Sequence, residues 1–105
     1  MTFAERLVAG VDAMARFHQR WHWITASVFL LLALALLATA VVQGAWRSAL
    51  LGMSCLAWAV AHADPHLLQP PRAPQRSLPA TTRVAFAIAM GLGGVVAVLM
   101  LAAGG

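Results

Sequence analysis

The chain has 105 residues, 62% of them hydrophobic and only 10% charged, whereas soluble domains carry roughly 25% charge. That balance excludes an ordinary water-soluble domain and points to one membrane-embedded unit. The net charge of +4 comes from arginines at the ends of apolar stretches and in one loop. Its expected counterpart is therefore the anionic headgroup layer of a bilayer, not nucleic acid.

Residues 2–22 have the pattern of an amphipathic helix. Phe3, Leu7, Val11, Met14 and Phe17 recur at spacings of three and four, while Glu5, Arg6, Asp12, Arg16, Gln19 and Arg20 fall largely off that stripe. Such a helix lies in the headgroup plane with its apolar face down, or sets the stripe against a partner protein. Trp21 and Trp23 follow, where indole rings favour the boundary between lipid and water.

Three nearly charge-free runs come next, each close to the ~20 residues that cross a ~30 Å hydrocarbon core. The first, 24–42, is too long and starts too late for a cleaved signal peptide, and is expected to be a retained helix. Gln43-Gly44 predicts a tight hairpin into the second run, 45–63, which opens on Trp46 and Arg47. Within it, Trp58 faces lipid or a neighbouring helix, and Cys55, the single cysteine, reads as a small apolar residue. One thiol forms no intrachain disulfide, so the compartment is not legible from cysteine usage.

The segment 64–81 holds all five prolines, Pro65, Pro70, Pro71, Pro74 and Pro79, and with Arg72 and Arg76 it predicts a basic, semi-rigid, extended loop. Thr81 or Thr82 is the expected N-cap of the third run, 82–103. Arg6, Arg16, Arg20, Arg72, Arg76 and Arg83 would then flank one side of a membrane and Arg47 alone the other. By the positive-inside rule the amino terminus and the 64–81 loop are cytoplasmic and the carboxyl terminus lies outside. The expected fold is thus all-α: three transmembrane helices, N-in and C-out, preceded by an amphipathic interfacial helix, in the cytoplasmic membrane of a bacterium.

The residues that could carry chemistry are histidines. His18 and His22, four apart, share a helix face and could chelate a metal together, with His62, Asp64 or His66 completing the shell. Pro65 breaks the helical geometry that would pair His62 with His66. A heme held between His22 and His62 is the related possibility. The HxxxH spacing is similar to the histidine boxes of membrane desaturases and hydroxylases, but those use about eight histidines on a longer scaffold, and four cannot rebuild their di-iron site.

No ionisable residue lies well inside a run, which disfavours ion transport. Thr25, Ser27, Thr39, Ser48 and Ser54 are expected to satisfy their hydroxyls within their own helices. Helix packing is the stronger signal. Ser48 with Gly52, Ala57 with Ala61, Ala87 with Gly91, and Ala89 with Gly93, beside Gly94, place small residues four apart, where backbones approach closely. Three helices cannot bury all of these faces among themselves, so some are expected to meet another protein. The run Trp46-Arg47-Ser48-Ala49-Leu50-Leu51-Gly52, followed by a basic loop and a further apolar run, is similar over those few residues to small three-helix actinobacterial membrane proteins of unknown function. The loop signature of those proteins is absent, and no family follows.

The expected function is a small, non-enzymatic accessory subunit of a larger membrane complex of the respiratory or photosynthetic type, binding no cofactor of its own. Its partners are other membrane subunits and anionic lipid, with quinone or pigment possible in the helix grooves. The alternatives are a metal- or heme-binding protein built on the interfacial histidines, and a small homo-oligomeric transporter.

Overall fold

The structure, a computed structural model, describes residues 2–104. Among these it forms three α-helices and no strand: α1 Phe3–Gln43, α2 Trp46–His62 and α3 Ala80–Gly104. α1 and α3 are long and apolar enough to cross a membrane, and only 11% and 17% of their apolar windows are buried within the chain. That is the reverse of a core helix in a soluble protein, whose apolar face is covered.

α1 begins with a capping box. Thr2 Oγ1 accepts the Glu5 N–H at 3.2 Å, and the Glu5 carboxylate accepts the Thr2 N–H, so two of the orphan amides at the helix start are satisfied reciprocally. The amphipathic segment and the first apolar run then continue as one helix, bent at Trp21, whose φ of −118° and ψ of 17° leave the helical region. Straight, 41 residues would extend about 61 Å, more than the 49 Å longest dimension of the molecule. No proline or glycine stands at the bend. Thr25 Oγ1 donates back to the Trp21 carbonyl at 3.4 Å and Ser27 Oγ to the Trp23 carbonyl at 2.8 Å, and hydroxyl back-bonding of this kind bends helices.

α1 ends in a Schellman arrangement. Gly44 adopts φ 64° and ψ 28°, a left-handed conformation that glycine takes without steric cost, and the Ala45 N–H reaches the Ala40 carbonyl at 3.2 Å. α2 then runs back along α1, and α3 runs back along α2. α1 packs on α2 and α2 on α3, but α1 and α3 do not pack on each other. The unit is a layer one helix thick with α2 in the middle.

A middle helix needs small residues on two sides. On the α1 side, Gly52 sits where an added Cβ would come within 2.9 Å of Leu37 Cγ and 3.2 Å of the Leu37 backbone nitrogen. Toward α3, Ser54 Oγ donates to the Ala89 carbonyl at 2.9 Å, and a Cβ at Gly93 would lie 3.3 Å from that hydroxyl. Ala33, Ala61 and Ala89 are fully buried, and Ala57 nearly so.

Two expectations need correction. Ser54 satisfies its hydroxyl across to α3 and not within its own helix, because the close approach at Gly93 brings the Ala89 carbonyl within reach. Neither Thr81 nor Thr82 caps α3, which starts at Ala80, after Pro79. The Pro79 carbonyl accepts the Arg83 N–H at 3.0 Å, and the Thr82 hydroxyl turns to another partner.

Candidate functional site

His18, His22, His62, Asp64 and Thr82 converge where α1 bends, α2 ends and α3 begins. Asp64, two residues past the end of α2, organises this end of the molecule. Its backbone N–H donates to the Ala61 carbonyl at 3.2 Å. Oδ1 accepts the His66 N–H at 2.8 Å, closing an Asx turn, and Oδ2 accepts the Thr82 hydroxyl at 2.9 Å. The Asp64 carbonyl accepts His18 Nε2–H at 2.9 Å. One residue thereby joins α1, α2, the loop and α3.

The histidines serve the same junction. His22 Nδ1–H donates to the Ala63 carbonyl at 3.0 Å, and His62 Nδ1–H to the Trp58 carbonyl at 2.8 Å. His18 and His22 thus supply donors to carbonyls just beyond the last turn of α2, where helix geometry provides none. Each carbonyl also fixes the tautomer of a neutral ring, since the nitrogen bonded to it must carry a proton.

His18 is buried, and its ring meets that of His62 edge-on with centroids 5.5 Å apart. It is His18 and not His22 that faces His62; the His22 ring lies 5.0 Å from Trp23. His66 stands apart in the loop, its Nε2 accepting from Arg76 Nη1 at 3.4 Å. Among the described residues no group of three or more His, Cys, Asp or Glu is placed to share a metal ion. Above His62, Trp58 stacks on Phe29 of α1 with centroids 6.2 Å apart and meets Phe86 of α3 edge-on at 5.5 Å. This aromatic bridge connects the two outer helices that do not otherwise pack.

The arginines gather at the same end. Arg16 pairs with Asp12 one turn away, and a cleft beside them is lined by Glu5, Val8, Asp12, Arg16 and Arg72, so the amino-terminal arm and the loop lie together. Arg20 covers the Trp21 ring at 5.3 Å, and Arg83 lies beside Thr82 in the first turn of α3. Arg47 is at the opposite end, 5.4 Å over Trp46. Trp23, like Trp21 and Trp46, is exposed.

The apolar stripe of the arm faces largely outward: Phe3, Leu7, Val11, Met14 and Phe17 are 41% to 81% exposed. The neighbouring face, with Ala15 and His18 buried, packs inward. Of the small residues singled out in α3, Gly93 turns inward with Ala89. Ala87, Gly91 and Gly94 form an outer edge with nothing within 4 Å of a Cβ placed at either glycine. Ser48 is half-buried near the start of α2.

Sequence reasoning reached the four histidines and named Asp64 as a possible metal ligand, but not as the centre of a hydrogen-bond network. Asp64 is one of only three acidic residues, and an acid at the end of an apolar run, just before a proline, was a signal available to be read. No family model, no curated protein and no solved structure matches the chain.

Proposed function

We propose that the chain is a non-enzymatic accessory subunit of a larger complex in a bacterial cytoplasmic membrane. It crosses the bilayer three times, with the amino-terminal arm and the proline-rich loop on the cytoplasmic side and the carboxyl terminus opposite. The observation that carries this reading is the outer edge of α3, where Ala87, Gly91 and Gly94 are exposed and no described residue comes within 4 Å of a Cβ placed at either glycine. Small-residue grooves are where membrane helices approach most closely, and the gain comes from packing against another helix.

The arm supports the same reading. Its exposed stripe, from Phe3 to Phe17, holds it at the membrane surface or on a partner, and the six arginines at that end match an anionic leaflet. Complexes of the respiratory or photosynthetic type hold small helical subunits at their edges, which is an analogy of size and layout.

The alternatives draw less support. The His22–His62 pair expected to hold a heme is not brought face to face, because the His62 ring meets His18, and among the described residues no group of three or more His, Cys, Asp or Glu is placed to share a metal ion. A homo-oligomeric transporter of ions would call for an ionisable group inside a span. The test is purification of the tagged chain from its native membrane in a mild detergent, with a mass-spectrometric inventory. Stoichiometric larger subunits are expected; the chain alone would overturn the proposal.

A further inference from the structure

Between the arm, the end of α2 and the loop lies a cavity of about 460 Å³ lined by Ala13, Met14, Phe17, His18, Thr25, His62 and Leu68, within the size range of small-molecule sites. Its walls are apolar apart from two imidazoles and one hydroxyl, and none of its lining residues is an arginine or an acid. Met14 and Phe17, each 62% exposed, also belong to the outward stripe of the arm, so one wall of the cavity is continuous with the surface assigned to lipid.

The two imidazoles are set in one sense. His18 donates through Nε2 to the Asp64 carbonyl and His62 through Nδ1 to the Trp58 carbonyl, so in the neutral rings His18 Nδ1 and His62 Nε2 carry lone pairs. Neither has a hydrogen-bond partner among the described residues. No buried side-chain nitrogen or oxygen among the described residues lacks one, so both atoms retain accessible surface. With both rings neutral, a cavity that holds two imidazole acceptors and no arginine or acid selects a neutral ligand that donates. It gives no reward to a carbonyl compound that only accepts, and no counter-charge to a phosphate or an ammonium group.

We propose that this cavity binds a neutral, hydroxyl-bearing lipid, specifically an isoprenoid hydroquinone, whose ring hydroxyls donate to His18 Nδ1 and His62 Nε2 while its tail leaves past Met14 and Phe17. The aromatic ring rests against Phe17, and the oxidised quinone, which has acceptors only, binds more weakly. The proposal stands independently of any partner at the α3 edge.

The test uses the full chain in nanodiscs of defined phospholipid, titrated with decylhydroquinone, with its dimethyl ether and with dioctanoylglycerol, against empty nanodiscs. Saturable binding of one decylhydroquinone per chain is expected, with the ether at least tenfold weaker because it cannot donate. His62→Asn keeps a donor for the Trp58 carbonyl and His18→Gln keeps one for the Asp64 carbonyl, while each replaces the ring acceptor nitrogen by an amide oxygen at a different position; each is expected to weaken binding about tenfold. The ether comparison needs no variant, so a misfolded mutant does not leave the question open. Equal binding of ether and hydroquinone, or no saturable binding above empty discs, overturns the proposal. Tighter binding of dioctanoylglycerol than of decylhydroquinone also overturns it, in favour of a glyceride.

Discussion

Thr82 Oγ1 donates to Asp64 Oδ2 at 2.9 Å, and this one bond ties the first turn of α3 to the residue that already holds α1 through His18 and the loop through His66. A hydrogen bond to a charged acceptor contributes about 1.5–3 kcal/mol. Thr82→Val is therefore expected to lower stability by about 2 kcal/mol and Asp64→Ala by more, since Asp64→Ala also opens the Asx turn. Denaturation of the single and double variants in micelles gives the coupling. A value near zero would show that the two residues do not act together.

Gly52 carries a different kind of constraint. A Cβ there would stand 2.9 Å from Leu37 Cγ and 3.2 Å from the Leu37 backbone nitrogen, and the backbone cannot yield as a side chain can. Gly52→Ala is expected to cost on the order of 1–3 kcal/mol through separation of α1 from α2, read as a lower unfolding midpoint in detergent. An unchanged midpoint would mean that the two helices are not packed this closely.

Gly91 offers the contrast. With no atom within 4 Å of an added Cβ, Gly91→Leu is expected to leave the unfolding midpoint of the isolated chain unchanged while abolishing recovery of a larger subunit from native membranes. A loss of stability equal to that of Gly52→Ala would place Gly91 in the internal packing and remove the basis for docking at this edge.

The helical class and the two long apolar helices were legible because hydropathy runs and turn residues are local signals, and so was the hairpin at Gln43-Gly44. The direction in which each small residue faces was not. Ala87 with Gly91 and Ala89 with Gly93 have the same spacing, and only the hydrogen bond from Ser54 to the Ala89 carbonyl decides which pair turns inward. The histidine cluster was visible as a pattern of residue types. Its actual use, tethering α1 to the carbonyls past α2, goes with the bend at Trp21, where the Thr25 hydroxyl back-bonds and no proline or glycine marks the sequence. Thr82 misled for a related reason: its position suited a cap, but its hydroxyl donates instead to a carboxylate eighteen residues earlier in the chain.

Orientation is a separate matter of charge. Arg6, Arg16, Arg20, Arg72, Arg76 and Arg83 lie toward one end and Arg47 at the other, and the proposed orientation, with the amino terminus and the loop inside, rests on that asymmetry. With Cys55→Ser as background, a cysteine at Gln75 is expected to resist a membrane-impermeant maleimide applied to intact cells, and a cysteine at Gln43 to react. The reverse pattern would invert the topology and make the arm periplasmic.

The central claim, that α3 presents its small-residue edge to a different and larger protein, is tested most directly by a photo-crosslinking amino acid at Gly94, with the same group at Leu31 of α1 as the comparison. The account expects illumination of native membranes to yield one discrete adduct with a larger membrane protein from position 94 and only lipid adducts from position 31. Lipid adducts alone from both positions, or an adduct between two copies of this chain, would contradict it.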